Sequence, residues 1–192
     1  MTMRSFILLF SFFLVNTLFG QTDNDKLIYR AIIDYTKEKN EKSIVLQDET
    51  ETNELRKIEW DVVGGKIYVG GSIGYFQDTT WKDILIIANR FYGPEIMLNN
   101  LNGYNFIHLT KDSISRFNEK NINKGSVVLS ENFPGVKRVI KFSRVMYSED
   151  KSKAVVYFSR YKNVLNSEGL LYFLIYKNKK WIIAEHISIW VS

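Results

Sequence analysis

Four consecutive runs decide the fold: KRVIKFSRVMY (residues 137–147), KAVVYFSRY (153–161), GLLYFLIY (169–176) and WIIAEHISIWV (181–191). Each is rich in Val, Ile, Phe, Tyr or Trp, the side chains that fit a pleated surface. Short polar connectors separate them at residues 148–151, 162–168 and 177–180. β-prone runs joined by short polar links predict an antiparallel meander of four strands. Residues 170–176 are apolar on both faces, which places that strand near the middle of the sheet.

Upstream of this region the pattern changes from strands to helices. Leu27, Ile28, Ala31, Ile32 and Tyr35 form one apolar stripe, so residues 25–39 read as a helix with Asp23, Asn24 or Asp25 as cap. Residues 43–47 read as a short strand, and the acidic stretch 48–57 as an exposed helix or loop. Trp60–Val63 and Lys66–Val69 flank Gly64-Gly65, the signature of a tight hairpin. A helix is expected from Trp81 to about Phe91, capped by Thr80 and closed by Gly93-Pro94. A strand at 106–109 and a short helix at 110–119, with Ile114 and Phe117 inward, complete the reading. The predicted class is α+β: N-terminal helices packed on a curved C-terminal antiparallel four-stranded meander.

The chain has 192 residues, 45% hydrophobic and 24% charged, with 2 His and no Cys. This composition suits one globular domain. The lack of Cys excludes a disulfide scaffold, a thiol nucleophile and thiolate-held metal. Arg4 precedes the run Phe6-Ile-Leu-Leu-Phe-Ser-Phe-Phe-Leu-Val15, which is too short for the ~20 residues of a membrane span. A basic start, a short apolar core and a small residue at the boundary predict a signal peptide over residues 1–20, cut after Gly20. The remainder, 21–192, is expected to be a single α+β domain, exported to the periplasm or beyond and without a membrane span.

Charge is uneven. Residues 21–110 hold 10 Lys/Arg and 14 Asp/Glu, whereas residues 137–192 hold 11 and 4. Either the two parts lie against each other, or the basic part meets anionic lipids or polysaccharide of the envelope. Nucleic acid is not expected, because no recognition-helix, RRM or zinc-finger pattern accompanies the cations.

Phe142-Ser-Arg-Val145, Ala154-Val-Val-Tyr157, Gly169 and Lys180-Trp-Ile-Ile183 running to Trp190-Val-Ser192 give residues 133–192 a recognisable pattern. It resembles a group of exported proteins of Bacteroidetes-type bacteria whose function is uncharacterised. Such relatives carry a Cys pair between the second and third meander strands; residues 161–168 have none here. The resemblance transfers no functional residues. The helix-then-sheet order is also similar to cone-shaped domains of the nuclear-transport-factor type and to cystatin-like domains, an analogy of layout.

Few residues suggest chemistry. Glu185 shares an alternating face with Trp181, Ile183, Ile187 and Ile189; a carboxylate buried there would have a raised pKa, as a general acid or base requires. His186 points to the other face, so the two cannot form a dyad. His108 is far away in sequence, and no metal site is expected. The Gly-rich stretch 64–74 matches no phosphate-binding motif, the acidic run 48–61 lacks the pattern of a calcium loop, and G-x-S-x-G is absent. Tyr68, Tyr75, Phe76 and Trp81 gather around glycines and are candidates for a sugar or apolar-ligand platform. The residues therefore point first to a non-enzymatic binding module for a protein, glycan or envelope component, with no cofactor. The alternative is a small enzyme or ligand carrier that uses Glu185 or His186 as its acid/base group in a pocket of the curved sheet.

Overall fold

The computed structural model describes residues 22–50, 59–63, 66–69, 75–76, 81–90, 96–98, 101, 103–121, 133–163 and 166–192. The expected signal peptide, the Gly64-Gly65 turn, most of the acidic stretch and the Thr80 cap lie outside them. Helix α1 spans Asp23–Thr36. Its cap is Thr22, one residue before the expected candidates, and Asp25 completes a reciprocal capping box. Strand β1 (Ser43–Gln47) follows. Next come β2 (Trp60–Val63), β3 (Lys66–Val69) and β4 (Tyr75–Phe76). Helix α2 is Lys82–Arg90, β5 is Asn105–Leu109 and helix α3 is Lys111–Asn121. The C-terminal third holds β6 (Val136–Phe142), β7 (Met146–Tyr147), β8 (Lys153–Asn163), β9 (Asn166–Lys177) and β10 (Lys180–Val191).

The expected sheet architecture is corrected. The main sheet has seven strands in the order β10-β9-β8-β6-β1-β5, with β7 paired to β8. β6, β8, β9 and β10 do run antiparallel in sequence, but they are only one side of a mixed sheet. β1 lies between β5 and β6 and is parallel to both. A self-contained four-stranded meander, and with it the cone-like and cystatin-like layouts, is therefore ruled out. The physical reason is visible in β1. All five of its residues are buried, as in a strand covered on both faces. β9 is likewise covered on both faces, but it is second from an edge rather than central. A separate three-stranded sheet, β2-β3-β4, contains the expected hairpin.

Packing forms three layers. On one face, Ile28, Tyr29, Ile32 and Ile33 of α1 meet Ile44, Leu46, Ile140, Phe142, Phe158 and Tyr172. Burying four such side chains contributes on the order of 6–12 kcal/mol. A cap is worth about 1 kcal/mol, so packing rather than capping holds α1 in place. On the opposite face, Val155, Tyr157, Leu171 and Phe173 meet Ile67 and Val69 of the small sheet, Trp81 just before α2, and Ile84 and Leu85 of α2. Beside them Ile114 of α3 covers Val45, Val136 and Val139. Among the described residues, no helix is long and apolar enough to cross a membrane.

Candidate functional site

The Glu185–His186 segment is reshaped by a β-bulge. Ile183 stands opposite Leu174 and Glu185 opposite Phe173, leaving Ala184 as the extra residue. The bulge shifts the alternation, so Trp181 and Ile183 join the α1 face while Glu185 and Ile187 register with the opposite one. The face expected from unbroken alternation is corrected accordingly. Glu185 is exposed, so it is not the buried carboxylate that the acid/base reading requires. His186 is exposed as well, and its ring stacks on Tyr172 at 5.5 Å with Tyr35 edge-on at 5.7 Å. The two side chains remain on opposite faces, as the sequence predicted.

The aromatic group is divided. Tyr68 is exposed and pairs across strands with Tyr75, and Ile67 pairs with Phe76. Trp81 instead belongs to the core, edge-to-face against Phe173 at 5.1 Å, with Lys153 Nζ 4.8 Å from its ring centre.

His108 has a partner that sequence reading missed. Its Nδ1 lies 2.6 Å from Oδ1 of Asp48, at the C-terminal ends of the adjacent parallel strands β5 and β1. The residues are sixty apart in sequence, so only the parallel pairing reveals the contact. Among the described residues, no group of three or more His, Cys, Asp or Glu is arranged to hold a metal ion.

The cations of the last quarter are sorted by position. At the corner where α1 leads into β1, Arg138 donates from Nε and Nη2 to the two carboxylate oxygens of Glu41, each at 2.9 Å, with both side chains buried. Lys162 pairs with Glu38 at 2.6 Å, and Arg160 pairs with Glu168. Burial pushes the Glu38 carboxyl up, but Lys162, Arg138 and Arg160 outweigh it and hold the group below its ordinary value. Lys137 donates to the carbonyl of Lys39 at 2.7 Å. Here the acidic early chain and the basic late chain do lie against each other. Lys141 stands over the ring of Tyr161, and Arg144 is half-buried.

The remaining cations, Lys151, Lys153, Lys177, Lys179 and Lys180, lie at the opposite end of the sheet, on the β7–β8 and β9–β10 connections. The two connections are adjacent: the amide of Tyr176 donates to the carbonyl of Ser152 at 2.8 Å. Lys177, Lys179 and Lys180 are all exposed, as is Lys151. Asn178 and Lys179 have φ of 53° and 60°, the left-handed pair of a tight primed hairpin turn. The acids at this end are Glu149 and Asp150. Ser148 and Ser152 bond the Asp150 carboxylate and hold its pKa down to about 2. Beside the lysines, Tyr176 and Ile182 remain 46% and 44% exposed. The signal was present in Lys177-Asn-Lys-Lys180, which composition alone presents as a polar connector.

The sequence matches no family model, and comparison with curated proteins and with solved structures gives no match.

Proposed function

We propose that the chain is an exported binding module that attaches to an anionic component of the cell envelope through the lysine-bearing end of its main sheet. The observation that carries this reading is the sorting of the late cations. Those at the α1–β1 corner are engaged with Glu38, Glu41 and Glu168, whereas the hairpin lysines face solvent. Clustered exposed lysines raise the local concentration of anionic partners. The export half of the proposal rests on residues 1–20 and on the resemblance of residues 133–192 to exported proteins.

The test is retention of the exported protein on isolated envelope material. Retention is expected at low ionic strength, with release near 1 M salt, where screening falls to about 3 Å. The triple variant Lys177→Gln, Lys179→Gln, Lys180→Gln should lose retention. Lys111→Gln on α3 should keep it. Equal retention of wild type and triple variant would remove the proposal.

A further inference from the structure

We infer that the anionic component is a lipid bilayer surface, and that the β9–β10 hairpin meets it with its lysines at the headgroups and Tyr176 and Ile182 at the interface. This rests on the binding reading above and names its partner. The strongest indication is the company the lysines keep. A polysaccharide engages the cations and can stack a sugar on an aromatic ring, but it gains little from a branched aliphatic side chain. A membrane surface also rewards an aromatic ring and a branched aliphatic side chain placed beside them. Tyr176 precedes Lys177 and Ile182 follows Lys180 by two residues, so the apolar pair brackets the basic turn. Their strand positions put them on opposite faces of the hairpin: Tyr176 packs on Trp181 at 5.2 Å on the α1 side, and Ile182 registers with Ile175 on the other. A hairpin approaching a surface end-on would present both at once.

Lys179 strengthens the inference. It occupies the second left-handed position of the turn, where glycine is favoured because a Cβ is crowded. Asn178 suits its own position, but Lys179 does not suit its own. A cation is thus kept at the tip at the expense of the turn. The acids nearby offset the cations only in part. Glu149 and Asp150, the carboxylates on these two connections, stand against Lys151, Lys153, Lys177, Lys179 and Lys180, five cations to two anions, which leaves an excess of three positive charges.

The experiment is co-sedimentation of the exported protein with vesicles of phosphatidylcholine alone or mixed with phosphatidylglycerol, with soluble dextran sulfate as a second arm. Binding is expected to the mixed vesicles and not to phosphatidylcholine. Each lysine near an anionic surface is worth roughly fivefold, so the triple Lys→Gln variant should bind on the order of a hundredfold more weakly. Ile182→Ser should weaken vesicle binding and leave dextran sulfate binding unchanged, and Tyr176→Ser should weaken vesicle binding. Ile182→Ser is the cleaner variant, because Tyr176 also supports Trp181. Lys179→Gly should melt at a higher temperature yet bind vesicles about fivefold less. Lysine-dependent binding to dextran sulfate without binding to either vesicle would overturn the lipid inference and leave the binding module standing. Binding to neither would overturn both. Equal vesicle affinity of Ile182→Ser, Tyr176→Ser and wild type would overturn insertion at the interface.

Discussion

Gly169 shows how much one missing methyl group permits. A Cβ at this position would lie 2.2 Å from Nε1 of Trp190 and 2.7 Å from the hydroxyl of Tyr157, the two atoms joined by a 3.0 Å hydrogen bond. Both belong to large rings, so neither can simply swing away. Gly169→Ala should cost on the order of 1–3 kcal/mol, the usual range for overpacking, measured as a shift in the denaturant midpoint. No shift would mean that the indole relocates freely. Asp150 offers a second residue-level check. Its side chain should titrate near 2, and Ser148→Ala should move that midpoint up toward the ordinary 3.8. Because the folded value is depressed, whatever the contact adds is complete above 3.8 and is lost as pH falls through about 2. NMR of the Asp150 carboxyl reads both directly. These details were hidden in the sequence. Gly169 looked like a strand start, and nothing in Ser148-Glu-Asp-Lys151 singles out Asp150 over Glu149 as the bonded carboxylate.

Among the elements, the α1–β1 connection is held most tightly. Arg138 on β6 and Glu41 after α1 form a bidentate pair with almost no solvent exposure. Removing one member leaves a buried charge, so Glu41→Gln should destabilise by about 3–5 kcal/mol. The paired replacement Arg138→Met, Glu41→Leu should recover most of that loss in thermal denaturation. If the double variant is no better than the single, the pair acts through its specific geometry rather than through charge compensation. The elements themselves were largely legible. The helix stripe, the strand at 43–47 and the Gly-Gly hairpin all follow from local periodicity and turn chemistry. What periodicity could not carry was Ala184. A single extra residue reverses which face the preceding side chains occupy, and no composition rule marks it. That bulge also overturned the expected company of Glu185.

At the scale of the molecule, local sequence revealed neighbours and concealed distant partners. β8, β9 and β10 pair across short turns, so their antiparallel order could be read directly. β1 pairs with β5 and β6 across a third to a half of the chain, and the buried run Ile44-Val45-Leu46 was the one hint of a central position. The same contrast predicts folding kinetics. Pairings close in sequence form before those with large loop-closure cost. Val156→Ala in β8 should therefore slow refolding, whereas Leu46→Ala in β1 should mainly speed unfolding. Stopped-flow measurements on the two variants decide it, and the reverse pattern would place β1 in the nucleus.

The placement of β1 has a consequence for biogenesis. The ribosome delivers this strand early, yet both of its hydrogen-bonding neighbours arrive tens of residues later. Until residue 109 has emerged β1 has no strand to pair with, and its second neighbour is complete only at residue 142. The main sheet therefore closes only when the last third of the chain supplies its remaining strands.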